Sequence, residues 1–233
     1  MRNYVIINGV NSNTKLGLAI RELPPITKPL MRTIREEIDG KNGDLITELG
    51  YSAYDKTIEL GLYGTYDINE IISFFNSKGI ITFSNEPDKY YYYEIINQID
   101  YNKLLKFKTA NVVFHCQPFK YKVGETPITL ASGDNTITND GNIYAKPILT
   151  IEGSGTISIS LGGNQMFSID MSNNSKIVID TNNMEAYDPT TGNLLNRIVT
   201  GDYDLFKIES GTNTLSISGT ITTATISNYE RWL

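Results

Sequence analysis

Beyond about residue 120 the chain reads as one short strand after another. Runs rich in β-branched residues at 147–151, 156–161, 165–170, 176–180 and 213–218 are bounded by turn sequences such as Gly153-Ser-Gly155, Gly162-Gly-Asn164 and Thr191-Gly-Asn193. Short alternating strands with turn signals at intervals of about ten residues leave few solutions other than an antiparallel β-sandwich. The residues before 120 differ: they hold most of the charged and aromatic side chains and the clearest helical signal. A break in composition of this kind, with Tyr121-Lys-Val-Gly-Glu-Thr-Pro127 as the connecting stretch, predicts two domains, 1–122 and 123–233.

The helical signal lies at Asp67-Ile-Asn-Glu-Ile-Ile-Ser-Phe-Phe-Asn-Ser-Lys-Gly79. Asp67 is placed to cap the first free N–H groups, and Glu70 completes a capping-box pattern. Ile68, Ile71, Ile72 and Phe75 have the spacing of one buried face, and Lys78 and Gly79 suit the final turn. Elsewhere in this half, 80–83, 90–96 and 104–116 read as strands. The alternation over 33–39 followed by Gly40-Lys-Asn-Gly43 predicts a β-hairpin returning through 44–54. Leu23-Pro-Pro-Ile-Thr-Lys-Pro29 is excluded from any central strand and reads as an extended connector. The fold class is mainly β: an α+β N-terminal domain with one helix and a long hairpin, then a sandwich.

The 233 residues are enough for a real core, with 40% apolar and 20% charged side chains. A net charge of −6 disfavours a nucleic-acid partner, and no apolar run reaches the roughly 18 residues of a membrane-spanning helix. The N-terminal sequence is too short and polar for a signal peptide, and one cysteine allows no internal disulfide, so synthesis in a cytosol is expected.

The single histidine and single cysteine stand side by side, as His115 and Cys116. Adjacent residues of a strand point to opposite faces, so the two cannot form a catalytic dyad, and they have no further His or Cys to complete a zinc site. Cys116 is expected to be a small buried apolar residue, and His115 an ordinary strand histidine. Glu36-Glu37 and the Asp202/Asp204 pair read as solvated charges. Asp170-Met-Ser-Asn-Asn174 lacks the glycine and distal glutamate of a calcium loop and reads as a plain turn. Tyr90-Tyr-Tyr-Tyr93 should place two rings on each face of a strand, for core or subunit packing, with carbohydrate stacking as the alternative. Trp232 is expected to fasten the C-terminus. No catalytic, cofactor-binding or metal-binding residue is assigned, and no enzyme is expected.

Taken in order, several segments resemble one family. They are Asn8-Gly-Val10, Leu23-Pro-Pro-Ile-Thr-Lys-Pro29, Ile38-Asp-Gly-Lys-Asn-Gly-Asp44, Gly50-Tyr51, Ile81-Thr-Phe-Ser-Asn-Glu-Pro-Asp-Lys-Tyr90 and Phe114-His-Cys-Gln-Pro-Phe-Lys-Tyr121. In the second half they are Ile137-Thr-Asn-Asp-Gly-Asn142, Lys146-Pro-Ile148, Gly211-Thr-Asn-Thr-Leu215 and Tyr229-Glu-Arg-Trp232. Together they resemble the distal tail protein (Dit) family of long-tailed phages and phage-tail-like particles of Gram-positive hosts. The resemblance implies a ring, usually of six copies, built by the N-terminal domain with the hairpin as a belt, single or as a back-to-back double ring. It implies a galectin-like C-terminal sandwich, with the last residues packing back on the N-terminal domain. It also implies a structural role at the tail tip or baseplate of a virion. There the ring would join the major tail-tube protein to the tail-tip protein, anchor receptor-binding or baseplate proteins, and leave a lumen for DNA. A carbohydrate-binding module contacting cell-wall saccharide is the alternative. The frame Phe114-x-Cys116-x-Pro118-Phe119 is expected to pack Phe114, Cys116 and Phe119, and Pro118 to end the last strand of the first domain.

Overall fold

A computed structural model describes residues 2–233. The chain divides into two compact units, the first running to Val123 and the second covering Gly124–Trp232.

In the first unit, seven strands form one antiparallel sheet. They are β1 (Val5–Ile7), β2 (Val10–Asn11), β3 (Leu18–Glu22), β6 (Tyr54–Leu62), β7 (Lys78–Phe83), β8 (Lys89–Ile95) and β9 (Thr109–Lys122), in the order β2-β1-β7-β8-β9-β6-β3. β4 (Met31–Glu37) and β5 (Asp44–Tyr51) pair only with each other, as a separate hairpin. One face of the main sheet is apolar: Ile58, Leu60, Ile81, Tyr91, Val112, Phe114 and Cys116 are all buried there. Helices α1 (Ile68–Phe74) and α2 (Tyr101–Phe107) add Ile71, Phe74 and Leu104 to the same core.

Two helices, not one, are therefore present, and both differ from the sequence reading. Asp67 does cap α1, its side chain accepting from the N–H of Asn69 and Glu70. The helix ends at Phe74, however, and Lys78 and Gly79 belong to β7. Ile72 stays exposed while Phe74 takes a place in the core. Residues 104–107, read as the start of a strand, form the end of α2. Asp100 starts that helix by accepting from Lys103 N–H, and Lys108 in the left-handed region ends it.

Pro118 does not end β9. The strand continues to Lys122, with Pro118 inside a bulge where Gln117, Pro118 and Phe119 lie opposite Tyr92 of β8. A bulge is where a residue without an N–H can sit inside a sheet. Because the bulge adds two residues, the alternation of the strand is kept across it: Cys116 points into the core before it and Lys120 after it.

The second unit is built on two long strands, β12 (Ile148–Leu161) and β17 (Gly211–Ser227). Around them lie β10 (Ile128–Thr129), β11 (Gly133–Asn139), β13 (Asn164–Asp170), β14 (Lys176–Asp180), β15 (Glu185–Tyr187) and β16 (Val199–Gly201). The first half of β12 pairs β14 and the second half pairs β13, while β17 runs along its other side throughout. One continuous sheet is thus bent into the two layers β15-β14-β12-β17-β10 and β16-β13-β12-β17-β11. Gly153-Ser-Gly155 is consequently a bend within β12 and not a turn between strands. The bend needs glycine: a Cβ on Gly153 would lie 2.4 Å from the Thr220 carbonyl oxygen, and Gly219, at φ +117°, would meet that of Thr156 at 2.6 Å. Leu149, Ile151 and Ile226 of one layer and Ile157, Ile159, Phe167 and Leu215 of the other fill the core of a β-sandwich-like fold.

Candidate assembly surface

The β4–β5 hairpin is the part of the chain that its own fold leaves unexplained. Its strands pair in regular antiparallel register from Thr33↔Glu48 to Glu37↔Asp44, and residues 38–43 close it. The loop is longer than the two-residue Asn-Gly turn the sequence suggests, with Gly40 and Gly43 both at φ +80°. Every residue from Arg32 to Leu49 is exposed. Among them are Ile34, Ile38, Leu45, Ile46 and Leu49, and Ile46 keeps 55% of its surface in water. A lone two-stranded hairpin is marginal in water, and its large aliphatic side chains, Ile34 and Leu45 on one face and Ile46 on the other, make it a candidate contact surface. Its root is fixed: Ser52 N–H donates to Leu30 O at 2.8 Å, and Tyr51 meets Phe119 edge-on with ring centroids 5.8 Å apart. The Phe-x-Cys-x-Pro-Phe frame therefore joins the core at Phe114 and Cys116 to the base of the hairpin at Phe119.

His115 and Cys116 lie on opposite faces, as strand geometry requires. Cys116 is fully buried, and burial pushes its thiol up to about 12. His115 is on the outer face, where Nδ1 meets Asp55 Oδ1 of the neighbouring strand at 2.7 Å. Tyr91 and Tyr93 point into the core, whereas Tyr90 and Tyr92 face outward and cluster with Tyr121. Asp170 accepts from the N–H and hydroxyl of Ser172 in a plain turn, Asp204 pairs with Lys146, and Glu36 and Glu37 are solvated in β4. Within the second unit, Arg231 also holds the chain near the C-terminus. That side chain is buried, donates from Nε to the Tyr144 carbonyl at 2.8 Å and lies over the Tyr144 ring. Among the described residues, no group of three or more His, Cys, Asp or Glu side chains is arranged to hold a metal, and no helix is long and apolar enough to cross a membrane.

The sequence reading missed a buried polar network beneath the hairpin root. Glu86, in the β7–β8 turn, accepts from Lys120 Nζ at 2.8 Å and from the Tyr91 hydroxyl at 2.6 Å. Lys56, only 2% exposed, donates to the Pro25 carbonyl at 3.1 Å and sits near the faces of the Tyr54, Phe83 and Tyr91 rings. Burial is the main cause of every shift here: it lowers the Lys56 ammonium, raises Tyr54 and Tyr93 to about 12, and raises Tyr91 further.

These shifts set a dependence on pH. An acid whose folded pKa is raised keeps its proton when the unfolded chain has lost it, so its contribution is complete below the unfolded value and declines above it. Cys116 declines from about pH 9 and the three tyrosines from about pH 10. Lys56 has the opposite sign, gaining as pH approaches its unfolded value of 10.5, but it is one group against four. The first unit should hold a constant melting temperature up to about pH 9 and lose it steeply by pH 11. Cys116→Ala should delay the onset by about one pH unit, checked by thermal melts across pH 8–11.

No family model matches the chain, and no curated protein is detectably similar to it. Solved structures are similar. The crystal structure of the Dit protein (gp 19.1) of phage SPP1, described as a paradigm of the hub adsorption apparatus in phages infecting Gram-positive bacteria, superposes with a TM-score of 0.68. It is 15% identical, with 100% of both chains covered. A chain of the phage P2 baseplate in its activated conformation with Ca gives 0.51 at 12% identity, over 97% of each chain. The same baseplate with Sr gives 0.53 at 11%, covering 97% of this chain and 96% of that one. Across its full length, this chain has the fold of phage Dit and baseplate proteins.

Proposed function

We propose that this chain is a distal tail protein: a structural, non-enzymatic element of a phage tail tip or baseplate that assembles into a ring of six copies. The ring joins the tail tube to the tail-tip protein, offers outward surfaces to receptor-binding or baseplate proteins, and leaves a lumen for DNA. The first unit, residues 1–122 with its hairpin, forms the ring, and the sandwich of residues 123–233 stands as a separate module. The observation that carries this reading is the β4–β5 hairpin. An arm with exposed aliphatic side chains on a folded base is what a neighbouring copy in a ring would cover, and a head-to-tail contact of this kind closes on itself when the rotation per copy divides a full turn. The fold shared with the SPP1 Dit protein, itself described as a hub, supports the same role. A net charge of −6 suits a passage that DNA must cross without adhering.

Immunogold labelling of virions that encode this chain tests the placement. Gold at the distal end of the tail is the expected result. Gold on the capsid or along the tail shaft, or none on intact particles, would contradict it.

A further inference from the structure

Asn-Gly occurs twice in the chain, at Asn8-Gly9 and Asn42-Gly43, and the fold treats the two pairs differently. This dipeptide is the one most prone to losing the asparagine amide. Glycine leaves the following backbone nitrogen unhindered and free to turn towards the side-chain carbonyl carbon.

At Asn8-Gly9 that approach is blocked. The pair is the tight turn between β1 and β2, with Ile7 opposite Val10 and φ of +48° and +83° at its two residues. Asn8 N–H donates to Ile80 O at 3.0 Å, and the Asn8 side-chain Oδ1 accepts from Ile80 N–H at 2.9 Å. The carboxamide also lies against Gly79, where a Cβ would collide with it. Turning that side chain onto Gly9 N would break its contacts with β7.

Asn42-Gly43 has none of these restraints. It lies in the loop 38–43, beyond the last ladder pair Glu37↔Asp44. The hydrogen bond within the loop, from Lys41 N–H to Ile38 O at 3.0 Å, closes before Asn42. Both residues are exposed, and a Cβ on Gly43 would meet nothing within 4 Å. Among the described residues, none shares a hydrogen bond with the Asn42 side chain.

We infer that Asn42 is a site of spontaneous modification, which deamidates in the folded chain with water as co-reactant while Asn8 is preserved. Gly43 N attacks Asn42 Cγ. That N–C bond forms as the Cγ–Nδ2 bond breaks, and ammonia leaves with the proton given up by Gly43 N. Water then opens the resulting cyclic imide. Opening at Cγ gives aspartate; opening at the main-chain carbonyl gives isoaspartate, with one more carbon in the backbone path. Either product adds a carboxylate to a hairpin end that already carries Glu37, Asp39 and Asp44 against Lys41. Chain that ages before it is used thereby differs from fresh chain at the hairpin tip.

Peptide mapping of the purified full chain by mass spectrometry tests this. The chain is diluted until mass photometry shows single chains, so that no other copy shields the loop, and is incubated at pH 8 and 37 °C. Peptides holding Asn8 and Asn42 are followed separately. Asn42 should convert about ten times faster than Asn8, which reacts only from locally opened chains. In denaturing urea the two rates should converge, because both pairs share the same chemistry. Asn42→Gln, which would need a larger ring, should remove the fast conversion and leave the rate at Asn8 unchanged. Equal rates at the two sites in the folded chain, or no conversion at Asn42, would overturn the inference. A rate ratio that persists in urea would overturn it too, since the fold would then not be the cause.

Discussion

Removing residues 31–51 and closing the gap with a two-residue glycine link should abolish self-association and leave the first unit folded. The cut ends are already adjacent, Leu30 O and Ser52 N being 2.8 Å apart. No side chain from Arg32 to Leu49 belongs to the core cluster of either unit. The melting temperature of the first unit should therefore move by only a few degrees, while particles by mass photometry fall to the mass of a single chain. A gentler variant gives a graded result. Ile34→Asp with Ile46→Asp keeps the hairpin but removes two aliphatic side chains from the surface to be covered. Burial of each is worth about 1.5–3 kcal/mol, so the apparent association constant should drop by roughly 100-fold or more. Rings of unchanged affinity in either variant would mean that the hairpin is not the joining element.

The largest effect on stability is expected at Glu86. Its carboxylate is the common acceptor for Lys120, whose side chain is 7% exposed, and for the Tyr91 hydroxyl. Glu86→Ala leaves a buried ammonium without its counter-charge and a buried hydroxyl without its acceptor, which costs about 3–5 kcal/mol. That is a large share of the total stability of a domain of this size. Glu86→Gln retains an acceptor oxygen and should lose about half as much. Near-UV circular dichroism during urea unfolding is the suitable measurement, because 11 of the 15 tyrosines precede Gly124 and the signal reports mainly on the first unit. Equal midpoints for the wild type and Glu86→Ala would show that the network does not hold the unit together.

The sequence exposed the features that depend on near neighbours. The Asp67 cap, the separation of His115 from Cys116, the two-per-face division of Tyr90 to Tyr93 and the exclusion of Leu23–Pro29 from a central strand all follow from short-range geometry. Misreadings arose where one local signal serves two structures. Gly79 resembles a helix terminator, yet its φ of +150° belongs to β7, beside the Asn8 side chain. Gly153-Ser-Gly155 has the composition of a turn, yet pairing on both sides of β12 carries the strand through it. Pro118 resembles a strand end, yet pairing with β8 on both sides of it places it in a bulge of β9. The helix over Tyr101–Phe107 runs with one intervening residue into β9, so its last turn resembles the start of that strand, and the Asp100 cap was the signal available. Glu86 could not be found in this way, since its partner Lys120 is 34 residues distant.

Electron microscopy of the purified full-length chain at micromolar concentration, alone and with tail-tube protein, tests the central claim most directly. The account predicts six-fold rings with an open centre, in which each hairpin lies across the neighbouring copy. Single particles of one chain under both conditions, or closed rings in which the hairpin projects free into solvent, would contradict it.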